Sequence, residues 1–251
     1  MKKNPVLFVH GIGASASVWK KFDIPDHSLF YVSFSDRFAS PEDQVPELAG
    51  FINKVLQQTG QEKVILVCHS MGGLVARKYL ADHPADHRVE KLVLLSTPNL
   101  GSVGLFFNWI PAAMILVGII RMPWVWPVLI GILGLAWEAI SYFRGVLLLS
   151  PASWSMRPNS EFLKRLDDQR MPADVKYVAV LSDTKDLPHR LVNLFLFREG
   201  GDGAVPLSSQ KLSASCVPNF PELNYSEIRI DLPHFAIPRQ GGEAVLRALE
   251  L

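Results

Sequence analysis

Two cysteines, Cys68 and Cys216, are all that the 251 residues contain. They form no metal-ligand spacing and no disulfide framework, which fits a thiol-tolerant compartment. Charge of either sign is not in excess. The formal net charge of +1 leaves nothing to neutralise phosphates and argues against nucleic acid as the main partner. Internal repeats and low-complexity linkers are missing, and so is the long apolar core of a signal peptide. After Met1-Lys2-Lys3 comes only the short run Val6–Val9, with no small-residue cleavage site behind it. That run reads as a first strand, and the expected location is the cytoplasm or the periphery of a membrane. With 49% hydrophobic and 20% charged residues, the chain is globular rather than disordered. Its length suits one domain over residues 1–251.

What is present is an alternation of strand-like and helix-like runs, the pattern of a parallel sheet covered by helices. The strand candidates are Val6–Val9, Leu29–Phe34, Val64–Val67, Leu92–Leu95, Val175–Leu181 and Ile228–Ile230. Their Val, Ile and Leu content suits strands buried on both faces. Ser40 can cap a helix that has Pro41 in its first turn and Gly60 at its stop. Its residues Val45, Leu48, Ile52, Val55 and Leu56 fall on one face. Further helices are expected over about 72–83 and 243–249.

One stretch departs from the alternation. Between Leu92 and Trp137 the only charged residue is Arg121, and Leu105–Trp137 holds four of the six tryptophans. It reads as a cap or lid insertion at about 101–160. Arg121 splits it into two apolar halves, and Pro111, Pro123 and Pro127 interrupt them, which is short and broken for a membrane span. The favoured reading is a lipid-facing lid with peripheral membrane contact through 105–137, since tryptophans suit a membrane interface. A buried cap and a true span are the alternatives.

The third strand runs into Cys68-His69-Ser70-Met71-Gly72-Gly73 and then a helical pattern. A serine at such a strand-to-helix turn exposes its hydroxyl at the carboxyl edge of the sheet, beside a helix N-terminus that favours negative charge. Ser70 is therefore the candidate nucleophile, with Gly72 relieving the crowding and Cys68 standing where a glycine is usual. Serine chemistry needs donors for the developing oxyanion. The N–H groups of Met71 and of Ile12, in the loop His10-Gly11-Ile12-Gly13, are the candidates. Of the seven histidines, His10 belongs to that loop, His69 to the elbow, and His83 and His87 flank a helix end. His234 follows the last strand at the same sheet edge as Ser70 and is the candidate base. The orienting carboxylate is Asp202, in Gly201-Asp202-Gly203, or Asp183, directly after the fifth strand. Asp202 is favoured for its glycine-flanked loop.

These motifs together resemble the lipase and esterase branch of the α/β-hydrolase superfamily, bacterial triacylglycerol lipases among them. They are Val9–Gly13, His69–Gly73, Ser96–Ser102 and Asp202–Pro206, in the family's order. The resemblance implies an α/β-hydrolase fold with a mostly parallel sheet of about six strands. It also implies hydrolysis of lipid-like or acyl esters through an acyl-enzyme, with no organic cofactor and no metal. An acyltransferase using the same triad and a catalytically weak membrane-binding scaffold are the other readings.

Overall fold

A computed structural model describes residues 3–19, 24–102 and 150–251. Residues 103–149, and with them the lid expectation for 105–137, lie outside the described residues. Among the described residues six strands form one sheet in the order β2-β1-β3-β4-β5-β6. They are β1 Val6–Val9, β2 Leu29–Tyr31, β3 Val64–His69, β4 Val89–Leu95, β5 Lys176–Ser182 and β6 Asn224–Ile230. Every pairing is parallel. All strand carboxyl ends therefore face one edge, where ligands bind in open sheets of this kind.

The inner strands β1 and β3 are buried at every position, which is why they read as unbroken apolar runs. One face of the sheet packs on helices α1 (Pro41–Thr59) and α2 (Met71–Asp82), joining Leu48, Ile52 and Val55 to Val75, Tyr79 and Leu80. The other face joins Phe8, Val67, Val93 and Val180 to Val245 and Ala248 of the C-terminal helix Gly242–Glu250. As its sequence implied, α1 is capped by Ser40, whose side chain accepts from the Asp43 N–H, and ends at Gly60 with φ 67°. Fully burying one aliphatic side chain on either face is worth about 1.5–3 kcal/mol.

Five strands differ in extent from their sequence reading: β3 runs on to His69 rather than Val67, β5 is displaced by one residue at each end, and three others differ as follows. β4 begins at Val89 rather than Leu92, because buried Lys91 belongs to it. Its ammonium donates to the carbonyls of Ala248 (3.0 Å) and Leu249 (2.7 Å) at the end of the C-terminal helix, where a cation is favoured. β6 begins at Asn224 rather than Ile228. As an edge strand its outer positions are solvated, so Asn224-Tyr-Ser-Glu carries no apolar run. β2 ends at Tyr31 rather than Phe34, because the chain leaves the ladder and the Phe34 N–H turns to the His10 ring (3.3 Å).

Among the described residues five α-helices are absent from the sequence reading, the two longest being Glu161–Asp167 and Leu187–Leu196, the latter here called α3. Short helix Pro151–Ser155 and Glu161–Asp167 bring Ala152, Met156, Phe162, Leu163 and Leu166 against Met71 and Leu74 at the start of α2. Among the described residues, no helix is long and apolar enough to cross a membrane.

Candidate active site

Ser70 sits between β3 and α2 with φ 53° and ψ −126°. A non-glycine residue with positive φ is strained, and three close approaches hold it there. A Cβ on Gly11 would lie 2.9 Å from the Ser70 Cβ, and one on Gly72 would lie 2.6 Å from the His10 carbonyl oxygen and 2.8 Å from that of Val9. A Cβ on Gly73 would overlap Thr97. Glycine is thus required at 11, 72 and 73 by packing rather than by unusual φ.

The loop Gly201–Gly203 and the turn after β6 carry the partners. His234 Nε2 lies 3.0 Å from Ser70 Oγ, and His234 Nδ1 lies 2.6 Å from Asp202 Oδ2. All three residues are buried. The second Asp202 oxygen accepts from the N–H groups of Ala204 (2.9 Å) and Val205 (2.7 Å). A carboxylate acting only as acceptor makes His234 Nδ1 the donor, which leaves Nε2 as the acceptor facing the hydroxyl. This arrangement can take a proton from Ser70 and stabilise the resulting imidazolium.

The two acid candidates part here. Asp183 is exposed, and its Oδ1 accepts from the Gly201 N–H at 3.1 Å. It braces the loop that carries Asp202 rather than touching His234. The other histidines are engaged elsewhere. His83 bonds the Tyr79 carbonyl, His87 pairs with Asp174 and His189 pairs with Asp186.

The Met71 N–H stands in the first turn of α2, where the helix offers it no acceptor. Ile12 lies on the loop after β1, packed against the Met71 cluster. That loop is pinned on both sides: Gly13 donates to the Arg37 carbonyl (3.0 Å), and Gly13 itself has φ 66°. The loop that carries Ile12 runs beside Ser70, since a Cβ on Gly11 would lie 2.9 Å from the Ser70 Cβ. Among the described residues no cluster of three His, Cys, Asp or Glu could hold a metal ion.

A family model described as "alpha/beta hydrolase fold" matches residues 4–120. A mature lipase of Bacillus licheniformis superposes with a TM-score of 0.69 at 21% identity, covering 99% of this chain and 91% of that one. The chain has the α/β-hydrolase fold. Among curated relatives, lysosomal thioesterase PPT2-B of Xenopus laevis is 29% identical over 110 residues, 40% of this chain and 38% of the relative. A triacylglycerol lipase of Pseudarthrobacter phenanthrenivorans is 31% identical over 110 residues, 39% of this chain and 34% of the lipase. The matches thus span well under half of these relatives' own length.

Around the site stand further residues, among them two histidines that the sequence reading set aside as the base. The buried His69 ring lies 3.1 Å from the His234 carbonyl through Nε2. A carbonyl only accepts, so Nε2 carries the hydrogen. Burial holds this imidazole well below its usual range, with the nearby His234 adding to the effect. His10 is likewise lowered, chiefly by burial. Its Nε2 accepts from Phe34, and its Nδ1 then donates to the Gly11 carbonyl (2.8 Å), fixing the tautomer. Gln210, fully buried, uses its whole amide. Oε1 accepts from Ser96 Oγ (3.0 Å) and the Ser182 N–H (2.6 Å), while Nε2 donates to the carbonyls of Ser182 (2.9 Å) and Val205 (3.0 Å). It thereby ties the ends of β4 and β5 to the Asp202 loop. Arg77, buried in α2, donates to Asn99 Oδ1 (3.1 Å) and the Cys216 carbonyl (2.6 Å), which anchors the Ser96–Ser102 stretch. Nothing in local sequence marks Gln210 or Arg77, because their partners are distant along the chain.

Proposed function

We propose that this protein is a serine carboxylic ester hydrolase of the lipase or esterase type, acting on lipid-like or acyl esters through an acyl-enzyme. The observation that carries the reading is the unbroken run Ser70 Oγ, His234 and Asp202, with contacts of 3.0 and 2.6 Å, on a serine held at positive φ.

In the first half-reaction Ser70 Oγ attacks the ester carbonyl carbon, and its proton passes to His234 Nε2. Asp202 holds the imidazole in orientation and stabilises its charge. The carbonyl oxygen becomes an oxyanion, held by the Met71 and Ile12 N–H groups. Collapse breaks the bond to the leaving alkoxide, which takes the proton from His234 and departs as alcohol. The acyl group stays on Ser70. In the second half-reaction His234 takes a proton from water, the hydroxide attacks the acyl carbon, and collapse returns the proton to Ser70 as the acid leaves.

The surroundings support an apolar acyl group. Phe235, next to His234, is 70% exposed at the same sheet edge. The similarity to a triacylglycerol lipase and to a lysosomal thioesterase supports oxygen or sulfur esters as the substrate class.

The test is hydrolysis of p-nitrophenyl esters from acetate to palmitate, with and without micelles, alongside an acyl thioester, by the wild type and Ser70→Ala. Turnover of longer chains that vanishes in Ser70→Ala is the expected result. Turnover that survives in Ser70→Ala, or its absence from a folded wild type, would overturn the proposal.

A further inference from the structure

Helix α3 is oriented against the usual logic of an amphipathic helix. Of its ten residues the only buried one is Asn193, while Leu187, Leu191, Leu194 and Phe195 are 66%, 44%, 62% and 79% exposed. These four fall within one arc of the helix, and Asn193 lies on the far side of it. The amide of Asn193 fastens the helix to the body. Its Nδ2 donates to the Gly201 carbonyl (2.8 Å), and its Oδ1 accepts from the Gly203 N–H (2.9 Å). The polar face is thus spent on the loop that carries Asp202, and the apolar face is left to solvent.

Three cations border that face. Lys185, Arg190 and Arg198 line the same open groove as Leu187, Leu191 and Leu194. Among the described residues none of them has a carboxylate partner within ion-pair distance. The two acidic residues of the groove are engaged elsewhere, Asp183 on Gly201 and Glu199 on Ser208. An exposed apolar helix face edged by unpaired cations matches a surface that is greasy in depth and anionic at its boundary.

We propose that α3 is a membrane-docking helix that seats on bilayers containing anionic phospholipid, with Phe195 and the leucines entering the acyl boundary. The cations meet the headgroup phosphates, and Asn193 fixes this seat beside the active-site edge. The bilayer is favoured over an acidic soluble protein because the most exposed side chain in the patch is a phenylalanine rather than a polar group. This contact is distinct from Ser70, His234 and Asp202, and its test does not depend on turnover.

The experiment is co-sedimentation of the full chain with phosphatidylcholine vesicles with and without phosphatidylglycerol. It compares the wild type with Leu191→Glu/Phe195→Glu and with Arg190→Glu/Arg198→Glu. Each Lys or Arg at an anionic surface contributes enough that reversing two weakens partitioning by about tenfold or more. The expected result is wild-type binding that requires phosphatidylglycerol and is lost in both double variants, with unchanged melting temperature and unchanged labelling of Ser70 by a fluorophosphonate. Failure of the wild type to bind, or wild-type binding by both variants, would overturn the proposal. So would concentration-dependent self-association of the wild type in vesicle-free sedimentation that Leu191→Glu/Phe195→Glu abolishes, since the face would then belong to a second copy.

Discussion

The ring of His69, the residue before Ser70, donates to the backbone carbonyl of His234 at 3.1 Å, while the His234 N–H donates to the Asp202 carbonyl at 3.0 Å. The elbow thus holds the turn that carries His234, and the Gly201–Gly203 loop holds the same residue from the other side. Both bonds act on the main chain, so the His234 ring stays in register with Ser70 through contacts separate from its own side-chain hydrogen bonds.

The acid assignment separates two neighbouring aspartates. Asp202→Asn is expected to lower kcat by about 10⁴-fold, because an amide can stabilise the wrong imidazole tautomer. Asp183→Asn keeps an acceptor for the Gly201 N–H and leaves kcat within about tenfold of wild type. Steady-state kinetics on one soluble ester decides it. Equal losses in both variants would remove the assignment.

Two glycines should respond oppositely to alanine. Gly72→Ala drives a methyl into the backbone carbonyls of His10 and Val9, which cannot move without shifting β1. A loss of about 1–3 kcal/mol or more follows. Gly50, inside α1, meets nothing within 4 Å, so Gly50→Ala should gain about 0.5–1 kcal/mol. Urea unfolding of the two variants measures both signs.

Acid should weaken the fold below neutrality. His10 and His69 are held below their ordinary value of 6.5, largely by burial, so near and below that pH the unfolded chain binds the extra protons. Stability is complete above 6.5 and falls as pH drops through it, by up to about 1.4 kcal/mol per pH unit for each histidine. Asp167 acts in the opposite sense. Burial raises it from 3.8 to about 6 against the pull of Arg77, so its protonation adds stability as pH falls through about 6. Melting temperatures between neutrality and about pH 5 should fall, and His69→Asn should flatten the slope. A slope unchanged in that variant would exclude His69 as a source.

Gln210→Met should destabilise by about 1–3 kcal/mol per buried group left without a partner, because four hydrogen bonds converge on that amide. It should also lower kcat more than it raises KM, since the Asp202 loop loses its tie to the ends of β4 and β5. A stability loss with kinetics intact would make Gln210 structural only.

The sequence alone determined the sheet-and-helix alternation and the cap of α1, because strand burial and helix periodicity are written in local residue order. It also determined Ser70 and His234 as candidates, since Ser70 stands directly after a recognisable strand and His234 in the short loop after another. The choice between Asp202 and Asp183 was open in the sequence. Both follow β5 within one long connection, and only the folding of Gly201–Gly203 back toward β6 decides which carboxylate reaches His234. Lys91 concealed the start of β4, because its ammonium finds carbonyls more than a hundred and fifty residues away. Helix α3 was passed over, and only tertiary structure reveals that its leucines at i, i+4 and i+7 face outward. Periodicity reports which residues share a face, while the side that meets the core is set by partners such as Asn193 and the glycine loop, which come together only in the fold.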